Sequence, residues 1–127
     1  DEPTGSFDLV TSILVGHFVA DEILFGYFAE LGKLTAAGGS LIVSVMAAPI
    51  SPAEAEDWIH HLATQLNKPA DYDGRHERAK QTYESLPDNL RLRDAAVYEE
   101  VIAQAGFRQE HVFFRRPMIH GWVYRKS

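Results

Sequence analysis

The chain has 127 residues, 46% of them hydrophobic, and a formal net charge of −6. That is enough for one domain with its own core, while the lack of any apolar run of about 18 residues excludes a helical membrane span. Cysteine is absent, which excludes disulfides and thiolate metal sites, and the acidic start lacks a signal-peptide pattern, so a cytoplasmic protein is expected.

Residues 7–15, FDLVTSILV, form the first predicted strand. Phe7, Leu9, Val10, Ile13, Leu14 and Val15 put apolar side chains on both faces, as in a parallel strand covered by helices on both sides. The run opens onto Gly16-His17. A helix is predicted from Asp21 to Ala36, with Ile23, Tyr27, Leu31 and Leu34 on its core stripe and Leu24 and Phe28 beside it. Asp21 is its expected N-cap and Gly38 its stop. Gly38-Gly39 then turns into SLIVSVMA, a strand over 40–47, which makes 7–47 a strand-helix-strand unit with a right-handed crossover.

Ser51-Pro52-Ala53-Glu54 combines a capping box with proline at the first helical position. Ala55, Trp58, Ile59, Leu62 and Leu66 follow at helical spacing, and Lys68-Pro69 ends that helix. Residues 70–93 are polar, and a helix over 75–86 has a thin stripe of Ala79, Tyr83 and Leu86, so the stretch reads as a peripheral excursion. Asp94 caps a further helix with Val97, Tyr98, Val101, Ile102 and Ala105 on its core face and Gly106 at its end. Strands over 107–115 and 118–125 close the chain, and the short Arg116-Pro117 link requires them to pair antiparallel. With no internal repeat and no linker, 1–127 reads as a single domain.

Charge is unevenly placed. Residues 1–60 carry nine acidic side chains against one basic, whereas 61–127 carry eleven basic and nine acidic. The acidic first half argues against a broad nucleic-acid surface. Arg75, Arg78, Lys80, Arg91, Arg93, Arg115 and Arg116 fit either a solvated helix surface or a local patch for an anionic substrate.

The phrases FDLVTSILVGHF, LGKLTAAGGSLIVS, VYEEVIAQAGF and MIHGWVYRKS, in this order, resemble the C-terminal half of class I S-adenosylmethionine-dependent methyltransferases. The resemblance implies an α/β, Rossmann-like methyltransferase half sheet holding the family's strands in the order 4-5-7-6, with strand 7 antiparallel and helices packed on the sheet. It implies S-adenosyl-L-methionine as cofactor, its adenine and methionine edge approached by Ser12, Ile13, Leu14 and His17, and a methyl acceptor that is a small molecule, an RNA or a protein. Tyr83, Arg115 and Arg116 fit either substrate-binding contacts to an acidic acceptor or ordinary structural roles. The glycine-rich loop and the acidic ribose ligand of the family belong to its first half. No two glycines here are spaced G-x-G and no strand precedes Phe7, so weak or no cofactor binding is expected of this chain alone. The implied function is the C-terminal, substrate-side part of a methyltransferase; the alternative is a non-catalytic oligomerising module on the same fold. Without the family's strand 1, residues 7–15 become an edge, and a homodimer through that side is expected.

Other chemistry finds little support. His17 reads either as a general base near the transferred methyl or as a helix-start residue packed on Phe18. The adjacent His60 and His61 point to different helix faces and cannot ligate together. His111 and His120 fall on the last strands without a legible carboxylate partner. Ser12 and Ser44 lack a G-x-S-x-G context, no P-loop is present, and Trp58 and Trp122 are expected in the core.

Overall fold

The computed structural model describes residues 5, 7–66 and 72–127. Its elements are β1 (Phe7–Ile13), α1 (Asp21–Leu34), β2 (Thr35–Met46), α2 (Pro52–Gln65), α3 (Tyr72–Ser85), α4 (Ala95–Gln104), β3 (Phe107–Arg116) and β4 (Ile119–Lys126), with short 3-10 turns at Gly16–Phe18 and Leu86–Asp88. The four strands form one sheet in the order β1-β2-β4-β3. β1 runs parallel to β2, and β4 runs antiparallel to both β2 and β3. This is the expected half sheet, with its antiparallel member between β2 and β3.

Strand alternation divides the sheet into two unequal faces. On one, Leu41, Val43 and Val45 of β2 and Trp122 and Tyr124 of β4 are buried against Leu24 and Phe28 of α1 and Tyr98 and Ile102 of α4. Val10 packs against the same cluster, and the Ser12 hydroxyl bonds the Tyr27 phenol at 2.8 Å. The other face carries Phe7, Leu9, Thr11 and Ile13 on β1. There the expected burial fails: Phe7, Leu9 and Ile13 are 47%, 56% and 50% exposed. β1 is an edge strand, and among the described residues no helix covers this side of it.

Three local expectations are corrected. The buried stripe of α1 is Leu24, Phe28 and Gly32, one position on from the predicted Ile23 and Tyr27, and Ile23 is solvent-exposed. The N-cap is Ala20, whose backbone is extended, and the Asp21 carboxylate at the first helical position is turned to Arg93. The helix stops at Leu34 rather than at Gly38: Thr35 is already extended, and its hydroxyl donates to the Leu31 carbonyl at 2.7 Å. Gly38 and Gly39 instead sit in a bulge of β2, where the register against β1 jumps from Phe7↔Thr35 to Leu9↔Ser40. Gly38 is left-handed there, with φ +76.

α2 begins as read. The Glu54 N–H donates to the Ser51 hydroxyl at 3.2 Å, and the Glu54 carboxylate accepts from the N–H of Met118 at 2.8 Å, tying the helix start to the β3–β4 tip. Its expected end at Lys68-Pro69 lies outside the described residues; the helix closes at Gln65. α3 starts earlier than predicted, at Tyr72. Together α2 and α3 hold a second, small cluster of Ile59, Ala63 and Ala79, with Trp58, Leu62 and Tyr83 packed on it. Trp58 is thus half-buried in this satellite, whereas Trp122 lies in the main core. Asp94 occupies the N-cap of α4 without a capping side-chain bond.

Candidate functional site

In open α/β sheets, ligands settle outside the carboxyl ends of the parallel strands. Here that corner is built by residues 13–18 and the end of β2. Leu14 takes a left-handed φ of 56, which costs a non-glycine residue about 1–2 kcal/mol, and its N–H donates to the Ser44 carbonyl at 2.8 Å. Gly16 follows in a crowded position: a Cβ there would lie 3.0 Å from Val45 Cγ1 and 3.3 Å from Tyr98 Cε1, so both side chains would have to give way. His17 lies next to it, at the sheet end.

The His17 ring is buried, and its Nδ1 accepts from the Met46 N–H at 3.0 Å. Its carbonyl accepts from the Arg91 N–H at 2.8 Å, and its ring lies 4.6 Å from that of Phe18. Desolvation, and then the nearby Arg93 cation, push its pKa below the usual 6.5. This geometry gives His17 a positional job: it locks the turn to β2 with one nitrogen already engaged. His120 is also buried and shifted downward, chiefly by desolvation, and stacks on Trp122 at 5.6 Å. A histidine whose pKa is lowered by folding binds fewer protons folded than unfolded. Both residues therefore make stability fall as the pH drops below about 6.5, through the unfolded value and toward the folded ones. Denaturation midpoints at pH 7.5 and 5.5 are expected to show this loss, and His17→Asn, which keeps an acceptor near Met46, to reduce it.

Arg93 organises the corner from the opposite side of the sequence. Its guanidinium is buried and donates to the Asp21 carboxylate at 2.6 Å, the Tyr98 hydroxyl at 2.9 Å, the Gly16 carbonyl at 3.3 Å and the Val19 carbonyl. Its own carbonyl accepts from the Ala48 N–H at 2.7 Å. It therefore does not join the basic patch considered from the sequence. Nothing in the spacing of the arginines singles it out.

The remaining site candidates divide. Ile13 and Leu14 are half exposed at the corner, whereas Ser12 is buried and bonded to Tyr27. Tyr83 is not beside the corner; it packs on Trp58 at 5.9 Å in the α2–α3 cluster. Arg115 and Arg116 are exposed near the β3–β4 tip, with the Arg116 guanidinium 6.0 Å from the Phe114 ring centre. Among the described residues no group of histidine and acidic side chains can hold a metal ion.

No family model and no curated protein matches the sequence. Solved structures do. A possible exported protein from Bordetella parapertussis superposes with a TM-score of 0.62 at 20% identity, over 99% of this chain and 41% of that one. An S-adenosylmethionine-dependent methyltransferase from Mesorhizobium loti gives 0.60 at 20% identity, over 98% of this chain and 63% of that one. PigF, solved with SAH, gives 0.59 at 17% identity, over 98% and 32%. The fold is that of the S-adenosylmethionine-dependent methyltransferases. At these identities the likeness is one of fold, and the chain spans less than two thirds of each of these three.

Against that methyltransferase-like sheet the cofactor fits only in part. Ile13, Leu14 and the exposed Val15 offer an apolar flank suited to an adenine ring. The hydroxyl of Ser12 and Nδ1 of His17 are already engaged within the chain. Donors and acceptors for a ribose diol and an amino-acid group do not converge on this flank among the described residues.

Proposed function

We propose that this chain is the C-terminal, substrate-side portion of an S-adenosylmethionine-dependent methyltransferase. The observation that carries the reading is the sheet order β1-β2-β4-β3 with its antiparallel β4, ending in the His17 corner. SAH in PigF and the cofactor-dependent methyltransferases of the same fold support S-adenosyl-L-methionine as the donor. In such a protein the cofactor supplies the methyl group, and this chain positions the acceptor and lines one flank of the donor. A reading frame upstream of Asp1 that encodes a strand followed by a glycine-rich loop supports the proposal; an initiator methionine directly before Asp1 overturns it. The isolated chain is expected to bind S-adenosylmethionine weakly, since each missing charge-assisted hydrogen bond removes about 1.5–3 kcal/mol. Titration calorimetry checks this, and a sub-micromolar dissociation constant contradicts it.

We propose in addition that the 127-residue chain on its own pairs with a second copy along β1. The Asp8 carbonyl and the Leu14 N–H face β2, so by alternation the backbone groups of Phe7, Leu9, Thr11 and Ile13 face the free edge. A two-fold axis at Val10 sets Leu9 against Thr11 and Phe7 against Ile13, all four with outward-facing backbone groups, and places the Asp8 charge opposite Ser12 rather than opposite itself. Leu9→Lys is the appropriate probe, because Val10 points into the covered core. Light scattering is expected to give a dimer that this change weakens; a monomer at about 100 μM, a concentration that any dimer tighter than about 10 μM would occupy, rejects the pairing.

A further inference from the structure

At the same end of the sheet as the His17 corner, α2 and the β3–β4 tip enclose a groove of about 670 Å³. Met46, whose N–H holds His17, is paired with Ile119 at that tip. The groove is therefore at the carboxyl end of β2, where a ligand is expected in this architecture. Its volume lies in the range that encloses a small organic molecule, roughly 300–1,000 Å³.

The lining has a definite chemistry. Trp58 and Phe114 supply aromatic surface, Arg116 a cation, Asp57 an anion, and His60 and His61 two imidazoles. Arg116 forms no ion pair among the described residues, unlike Arg93, held by Asp21, and Arg125, held by Glu110 at 2.9 Å. Its guanidinium rests by the Phe114 ring instead, which leaves its planar donor fork for an incoming oxyanion. Asp57 lines the same groove without pairing with Arg116, so the two charges sit apart, one suited to an acid group and the other to a donor. On His60, Nδ1 bonds the Tyr72 hydroxyl at 2.5 Å, which leaves the second ring nitrogen for another partner.

We infer that this groove binds a planar aromatic acid, its carboxylate on Arg116, its ring against Trp58 and Phe114, and a hydroxyl directed to Asp57 or His60. That the bound acid is the methyl acceptor rests on the methyltransferase reading; the binding does not.

The test uses the 127-residue chain without cofactor, so that its outcome is separate from any assay of methyl transfer. Trp fluorescence is followed on titration with para-hydroxybenzoate, with phenol and hexanoate as the uncharged ring and the ringless acid. Saturable quenching by para-hydroxybenzoate is expected, with both comparators at least about tenfold weaker, equivalent to about 1.4 kcal/mol. Arg116→Gln is expected to weaken binding at least about tenfold. Arg108→Gln, an exposed change outside the groove, serves as the control and leaves binding unchanged. Circular dichroism verifies that both variants fold. No saturable change up to about 10 mM, equal binding of hexanoate, or an Arg116→Gln variant that binds like the parent overturns the inference.

Discussion

Arg93→Met is expected to lower the unfolding free energy by about 3–5 kcal/mol, the usual cost of removing one partner from a buried charged network. Methionine keeps the apolar stem but donates nothing. The Val19 carbonyl and the Tyr98 hydroxyl then lose the Arg93 donor, while the Gly16 carbonyl keeps the Val19 N–H at 3.0 Å. An acceptor stranded in the interior costs about 1–3 kcal/mol. The ion pair itself is the smaller part, because the Asp21 side chain is 75% exposed and rehydrates once released. Asp21→Asn should accordingly cost only a small fraction of the Arg93 effect. Urea denaturation of both variants decides the matter: equal midpoints would show that the ion pair, and not the buried acceptors, is what Arg93 contributes.

Gly39→Val should cost about 2–3 kcal/mol, while His61→Ala should leave stability within about 0.5 kcal/mol of the parent. A Cβ on Gly39 would lie 2.9 Å from the Ala36 carbonyl, 3.1 Å from that of Asp8 and 3.1 Å from Thr35 Cγ2. Two of these three atoms are backbone carbonyls at the register break between Phe7↔Thr35 and Leu9↔Ser40, so a Cβ is accommodated only by shifting the main chain of the bulge. The requirement at Gly39 is space, whereas its neighbour Gly38 supplies the left-handed turn. His61 lies on the exposed side of α2 and has room to be truncated. Denaturation midpoints are the measurement, and an unshifted Gly39→Val midpoint would refute the bulge geometry.

Much of the fold was legible because its signals are local. Ser51-Pro52-Ala53-Glu54 announces α2 with chemistry that the structure uses, and Arg116-Pro117 leaves room for nothing but a hairpin. Where reading failed, the deciding contact came from far along the chain. Ile23, Leu24, Tyr27 and Phe28 give α1 two adjacent apolar stripes, and periodicity cannot choose between them; the packing of α4 does. Asp21 is an ideal capping residue by type, yet Arg93, 72 positions away, takes its carboxylate. The site was legible only as a location. Ser12 and His17 do lie at the sheet end, but the Ser12 hydroxyl and Nδ1 of His17 are committed to Tyr27 and Met46, which no spacing reveals. The groove joins α2 to the hairpin tip across some fifty residues, and its aromatic and charged members are individually ordinary.

The hydrogen bond from the Ala48 N–H to the Arg93 carbonyl has an evolutionary consequence. It brings together the two ends of the segment that carries α2 and α3, and that segment has a hydrophobic cluster of its own. A stretch closed at its neck can lengthen or shorten cheaply, since doubling a loop adds only about 0.6 kcal/mol of closure entropy. The sheet and the Arg93 anchor stay in place when the segment changes length, so long as the Arg91 N–H still reaches the His17 carbonyl and Glu54 the Met118 N–H. Insertions, deletions and exchanged helices should therefore accumulate between residues 49 and 92 among natural variants of this chain, leaving one conserved frame to present many different walls.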